Sequence, residues 1–339
     1  MNIREEREKF EREYLSVYAC KSYESKGRLK PEKECDIRTV FKRDRDRIVH
    51  SKAFRRLKHK TQVYIMPEKD HYRTRLTHTL EVEQIGVTIA RALKLNEDLT
   101  SAIALAHDIG HTPFGHMGEK VLNKLNPNGF KHANQSLRVV DFLEINDKRQ
   151  GLNLTHEVRD GILNHNGDLQ PETLEGEIIK IADKIAYINH DIDDAIRAKI
   201  ISKEQIPTDL NSILGNSHGE RIDTMVKDII YNSMDKDKIL MSSEIYDASM
   251  KLREFMFNRV YFSKIVTRDE HKVFYILETL YKYYKNNIDK LPESHKILYK
   301  NISIPVTEDD MVSDYIAGMT DNFIRSLFKD LFIPKSWEV

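Results

Sequence analysis

Between Glu220 and Lys290 the chain carries neither glycine nor proline. These are the residues that interrupt helices, so a stretch of this length without them is committed largely to helix. Its apolar residues keep helical spacing at Ile245, Met250, Leu252, Phe255 and Met256. The same period governs the earlier chain. Val82, Ile85, Ile89 and Leu93 follow i, i+3, i+7 and i+11, one face of a helix. Leu99, Ile103 and Ala106 continue the pattern after Asn96, a suitable N-cap. Ile178, Ile181, Ile185, Ile188, Ile192 and Ile196 predict a long helix over 175–199. No convincing period-two strand and no internal repeat interrupts this. The expected fold is all-α, one domain over residues 1–339 with a helical C-terminal extension from about residue 220.

Composition narrows the class further. The 339 residues, 40% apolar and 32% charged, suit a folded chain with an ample core. Lys and Arg total 54, as do Asp and Glu, so no global field favours nucleic acid. Cys20 and Cys35 are too few for a disulfide framework and lack zinc-ribbon spacing, which implies a reducing compartment. Met1–Tyr14 is charged and helical in character, not an apolar signal core. No run approaches the roughly 18 apolar residues a membrane span requires. A cytoplasmic protein without membrane contact is expected.

Chemistry-bearing residues concentrate in one place. His107–Glu119 (HDIGHTPFGHMGE) holds three histidines, two carboxylates and three glycines, and eight of the 13 glycines fall between Gly110 and Gly176. Histidine and carboxylate hold divalent metals and move protons near neutral pH. His78 shares the inward stripe of Val82 and Ile85, and His107 that of Leu99 and Ile103, with Asp108 following at the helix end. Asp183 lies among the isoleucines of the long helix, with Tyr187 and Asp191 at i+4 and i+8. An inward aspartate requires a cation or a hydrogen-bond network. Against this stands the plainer fact that a lone histidine on an apolar face is usually a satisfied core residue, and a helical aspartate is usually solvated. Periodicity does not decide between the two. Residues 38–60 are strongly basic, with Arg38, Lys42, Arg43, Arg45, Arg47, Lys52, Arg55, Arg56, Lys58 and Lys60 against Asp44 and Asp46. Such a segment can take up phosphate, or it can be a solvated face bridged to acidic residues. No GxxxxGK[ST] loop is present, so side chains and metal would have to cradle any phosphate.

The pattern His78, His107-Asp108, Asp183 resembles the HD-domain metal-dependent phosphohydrolases. Several longer segments resemble the deoxyguanosine triphosphate triphosphohydrolase-like group, the dNTPases. They are Phe54–Val63 (FRRLKHKTQV), Asp70–His78 (DHYRTRLTH), His107–Glu119, Asp183–Tyr187 (DKIAY) and Asp314–Asp321 (DYIAGMTD), and they span nearly the whole chain. The bare H…HD…D pattern is weakly specific, whereas HDIGHTPFGHMGE and FRRL-K-KTQV are highly specific. The resemblance implies an all-α HD fold with a metal-binding core over about 40–200. It also implies hydrolysis of a deoxynucleoside triphosphate to deoxynucleoside and inorganic triphosphate. His78, His107, Asp108 and Asp183 would be the metal ligands. His116 and Glu119 would form the catalytic His–carboxylate pair, with His132 a further active-site histidine and His111 assisting or capping its turn. Arg75, Lys184, Tyr187 and Asp191 would hold phosphates or deoxyribose. Lys58 stands where many members carry Gln against the sugar, a departure that bears on phosphate binding and on preference for dGTP. Two His and two Asp accept Mn, Mg, Fe, Zn, Ni or Co alike. The resemblance further implies a homo-oligomer and admits a nucleotide or single-stranded nucleic acid as regulator. An HD phosphodiesterase or nucleotidase, and a non-catalytic nucleotide or nucleic-acid sensor, are the competing readings. His156 and His165 read as ordinary histidines, the latter at a helix C-terminus, and Tyr261, Phe255 and Tyr281 read as core residues.

Overall fold

The computed structural model describes residues 1–62, 72–146, 149–263, 267–300, 302 and 304–335. Val63, Asp70 and His71 of the segments quoted above lie outside the described residues. In chain order the helices are α1 (Ile3–Tyr14), α2 (Val40–Val49), α3 (Lys52–Arg56), α4 (Arg75–Ala92), α5 (Glu97–Ala106), α6 (Gly115–Leu125), α7 (His132–Arg138) and α8 (His156–Asn164). They continue with α9 (Leu174–Arg197), α10 (Thr208–Leu214), α11 (His218–Ser233), α12 (Ser243–Met256), α13 (Glu270–Asn286), α14 (Glu293–Lys296), α15 (Glu308–Ala317) and α16 (Asp321–Phe332). Among the described residues the only sheet is a two-residue hairpin pairing Ile145–Asn146 with Arg149–Gln150. The fold is all-α, as periodicity requires. No described helix is long and apolar enough to cross a membrane.

The helix limits follow from local chemistry. Asn2 caps α1 in a reciprocal capping box with Glu5, and the Asn96 side chain accepts the Leu99 N–H at the start of α5. Thr173 does the same for α9, which runs over Leu174–Arg197, within two residues of the expected span. Ser217, Ser242, Thr307 and Thr320 cap α11, α12, α15 and α16.

The chain forms two compact units, each assembled from three sequence segments. The first comprises Met1–His50, Thr77–His107 and Asn153–Thr267. In it α5 packs against α2, α8 and α9, while α9 also meets α11 and α12. Val82, Ile85, Ile89, Leu99, Ile103, Ile178, Ile185 and Ile192 are buried, so the stripes found in the sequence are core faces. Each fully buried aliphatic side chain contributes about 1.5–3 kcal/mol. The second unit comprises Ser51–Leu76, Asp108–Leu152 and Arg268–Val339. There α13 packs against α6, α15 and α16 around Phe114, Leu122, Leu277, Leu280, Val312, Ile316 and Ile324.

The basic segment 38–60 is largely neutralised within these units. Arg38 pairs with Asp46 at 2.7 Å, Arg47 with Glu32 at 2.6 Å and Arg43 with Glu32 at 3.3 Å. Arg45 donates to Ser101 at 2.8 Å. These cations brace helices rather than presenting one phosphate-binding face. Lys52, Arg55 and Lys58 remain exposed.

Candidate active site

In the first unit, α4, α5 and α9 bring His78, His107 and Asp183 together. His78 Nε2 lies 3.0 Å from Asp183 Oδ1, and His107 Nε2 lies 3.9 Å from the same oxygen. Both histidines are buried, because their stripes face the core. His107 Nδ1 engages the Ala104 carbonyl at 2.6 Å, which orients the ring and leaves Nε2 turned to Asp183. That backbone support is the usual outer partner of a metal-binding imidazole. His165, at the C-cap of α8, packs its ring 5.1 Å from His107 and bonds Ile162 O through Nδ1. It is therefore a helix-end histidine that also buttresses His107, a role its sequence position did not signal. Two imidazoles converging on one carboxylate oxygen fit a divalent cation, and Asp108 follows His107 directly in the chain.

The same unit holds Lys184, Tyr187 and Asp191, the residues that the resemblance assigns to phosphate or sugar. Asp183, Tyr187 and Asp191 line one face of α9, while Lys184 is exposed. Arg253 Nε on α12 donates to Tyr187 Oη at 2.7 Å, and Tyr261 Oη donates to Asp191 Oδ2. Sequence reasoning missed Arg253 and placed Tyr261 in the core; its ring is only half-buried and its hydroxyl is engaged. No period could reveal these contacts, since each joins residues 66 or 70 apart. Tyr281, by contrast, is a buried core residue, and His156 pairs with Glu172 at 2.9 Å near the surface.

The second unit gathers Arg75, Asp108, His111, His116, Glu119 and His132. After α5 the chain turns through Asp108–Gly110, where Gly110 leaves no room for a side chain. A Cβ there would lie 2.1 Å from Ser136 N, so α7 packs directly on the turn. Phe114 adopts φ 63°, costly for a bulky residue, and Gly115 follows at φ +59°. A side chain at Gly115 would press on Arg75 Nη2 at 3.2 Å. This unusual backbone starts α6, which carries His116 in its first turn and Glu119 one turn further on.

Glu119 serves His132 more closely than His116. Both Glu119 oxygens lie 3.0 Å from His132 Nδ1, and Oε1 accepts the His132 backbone N–H at 2.9 Å. His116 Nδ1 is 3.5 Å from Oε2, with its side chain 75% exposed. His132 stacks on His111 at 3.9 Å between centroids. Asp108 Oδ1 lies 3.4 Å from His111 Nε2 and 3.9 Å from His132 Nε2. Arg75, fully buried, donates Nη1 to Asp108 Oδ2 at 2.6 Å. Its Nε and Nη2 have no acceptor among the described residues. Burial alone would raise the Glu119 carboxyl, but hydrogen bonds from His116 and His132 hold it far below its ordinary range. Burial opposes charge on His132, yet Glu119 raises it above the usual imidazole value. Burial, then the charges of Arg75 and His132, drive His111 well below that value.

Residues 75–188 match the HD domain family, and residues 239–330 match the phosphohydrolase-associated domain family. With buried His–Asp groups able to hold a metal, these matches define the class: a metal-dependent HD-type phosphohydrolase. A deoxyguanosinetriphosphate triphosphohydrolase-like protein of Caldanaerobacter subterraneus is 58% identical over 337 residues, covering 99% of this chain and 98% of that protein. Like-named proteins of Clostridium perfringens strain SM101 (50%, 99% of each chain) and Desulfatibacillum aliphaticivorans (47%, 98% and 99%) match as completely. The chain belongs to the deoxyguanosinetriphosphate triphosphohydrolase-like family of HD-domain proteins. A hypothetical protein from Aquifex aeolicus, known from its crystal structure, shares the fold at TM-score 0.50. It is 21% identical and is matched over 86% of this chain and 68% of its own.

Proposed function

We propose that the protein hydrolyses deoxynucleoside triphosphates to deoxynucleoside and inorganic triphosphate. The observation that carries this reading is the buried His132–Glu119 pair stacked on His111 beside Asp108, together with the names of the full-length relatives. A proton donor is what cleavage at the sugar 5′-oxygen requires, because an alkoxide is a poor leaving group, whereas expulsion of pyrophosphate would need none.

His78, His107, Asp108 and Asp183 would hold one divalent ion, which when bound supplies Lewis acidity at the phosphate. Water attacks the α-phosphorus, the bond from phosphorus to O5′ breaks, and triphosphate departs intact. His116 is assigned the proton for O5′, with Glu119 Oε2 3.5 Å from its Nδ1 and with His132 and His111 assisting. The Arg75 Nε and Nη2 atoms offer N–H donors to triphosphate oxygens, and Lys184 adds a point charge. Tyr187 and Asp191, braced by Arg253 and Tyr261, are assigned the deoxyribose, with Lys58 at the sugar or a phosphate.

The test incubates protein loaded with Mn, Co or Mg with each of the four dNTPs and GTP, and separates products by ion exchange. Deoxynucleoside plus intact triphosphate is expected. Monophosphate plus pyrophosphate would overturn the leaving-group assignment, and no product with metal bound would favour a phosphodiesterase or a sensor. His116→Ala should abolish turnover with metal retained; near-normal turnover would remove that residue from the scheme.

A further inference from the structure

The Asp314–Asp321 segment lies far from every assigned ligand in sequence, and its aspartates have no role in the scheme above. Within the second unit, Asp321 is buried and grips two separate loops. Its Oδ2 accepts the Thr61 N–H at 3.0 Å and the Thr61 hydroxyl, and its Oδ1 accepts the Phe114 N–H at 3.0 Å. Lys60, next to Thr61 and 2% exposed, donates Nζ to the carbonyls of His111 and Ala317, the latter at 2.8 Å. The Lys60 carbonyl in turn accepts the Arg75 N–H at 3.1 Å.

We infer that Lys60 and Asp321 are positioning residues, a buried clamp that holds the backbone of the turn carrying His111 and His116 and fixes the start of the helix carrying Arg75. The turn needs such a clamp. Phe114 sits at φ 63°, a conformation that persists only when surrounding bonds over-determine it, and Asp321 supplies a charge-assisted bond to that residue's own N–H. Lys60 grips the other end of the same four residues. Burial holds its amine well below the ordinary lysine range, and its N–H groups are directed at two backbone carbonyls. Neither side chain touches substrate in this account. They act through the geometry of His111, His116 and Arg75. A displacement of an ångström in catalytic groups is enough to cost about 100-fold in rate.

The catalytic arm of the test rests on the proposed hydrolysis; the exchange arm does not. Asp321→Ala and Asp321→Asn are compared with wild type, all loaded with Mn, for metal content, kcat, KM and amide hydrogen exchange by peptide. Exchange across residues 108–119 should accelerate at least about tenfold in Asp321→Ala, the factor one lost hydrogen bond to a charged group implies, while α9 peptides and metal content stay unchanged. The kcat should fall roughly 10- to 100-fold with KM nearly constant. Asp321→Asn, which keeps an acceptor for Phe114, should fall less. Unchanged exchange in 108–119 overturns the clamp, as does acceleration spread evenly over all helices with loss of metal. If Asp321→Ala does not fold, Asp321→Asn and Thr61→Ala, each removing part of the grip, decide by the same exchange readout. If wild type turns over no dNTP, the functional reading fails while the exchange result still judges the clamp.

Discussion

Two of the histidine–carboxylate groups among the described residues are built to opposite ends. In the first unit, His78 and His107 aim at one oxygen of Asp183, and a backbone carbonyl fixes the His107 ring. In the second, Glu119 grips His132 while Arg75 and Asp108 face each other. The first arrangement concentrates electron pairs on a point and suits a cation. The second pushes two stacked imidazoles apart, His132 upward and His111 downward, which suits the holding and moving of a proton. Surroundings, not residue type, separate the two.

The largest expected effect comes from the first group. Asp183→Ala should strip the metal, measured by inductively coupled plasma mass spectrometry. The affinity loss should exceed the ~10- to 100-fold typical of losing a partner that merely orients a ligand. Glu119→Gln should leave metal content untouched and lower turnover by ~10²- to 10⁴-fold, the range of one acid–base group. A variant at Glu119 that also lost its metal would collapse the distinction between the groups.

Smaller effects extend the same contrast to other like residues. Glu175 is buried in α9, and burial raises its carboxyl to about 7, although it accepts N–H bonds from Asn96 and Cys20. Because its folded value lies above the unfolded one of 4.5, its contribution is complete below about pH 4.5 and is lost as pH rises through 7. Thermal stability should therefore fall between pH 5 and pH 8 by up to about 3 kcal/mol from this group, and Glu175→Gln should flatten that slope. Buried Glu11 is shifted in the same direction by burial. A wild-type slope that survives the substitution would assign it elsewhere. Smallest is the difference between the cysteines. Backbone N–H groups of Ile37 and Arg38 with the Arg38 side chain bring Cys35 down to about 7, whereas burial pushes Cys20 up. At pH 7 an alkylating reagent should label Cys35 at least ~10-fold faster than Cys20, read by peptide mass spectrometry. Equal rates would contradict the two environments.

Much of the fold was legible because helical period is a local property. The isoleucines of α9 marked its face, Asn96 marked the start of α5, and the stripes carrying His78 and His107 are core stripes. The motif residues of the candidate site were legible through resemblance, since periodicity alone left a metal site and a satisfied core pair equally open. Illegible were the partners. The basic run 38–60 could be read either as a phosphate-binding surface or as a face bridged to acidic residues, and Glu32, Asp46 and Ser101 take up several of its cations. Glu119 stands one turn from His116 in sequence but lies closer to His132, thirteen residues on.

By itself the sequence determined the all-α class, the buried faces, the helix caps and the family. These depend on residue spacing and on side chains bonding within a few positions, where helix geometry dictates who meets whom. Only the tertiary structure decided that Tyr261 serves Asp191, that Arg253 serves Tyr187, and that Lys60 and Asp321 hold the His111–Phe114 turn. The same holds for the split between His111 and His132. Such pairings join residues tens to hundreds of positions apart, and burial sets their electrostatics, so no local pattern encodes them.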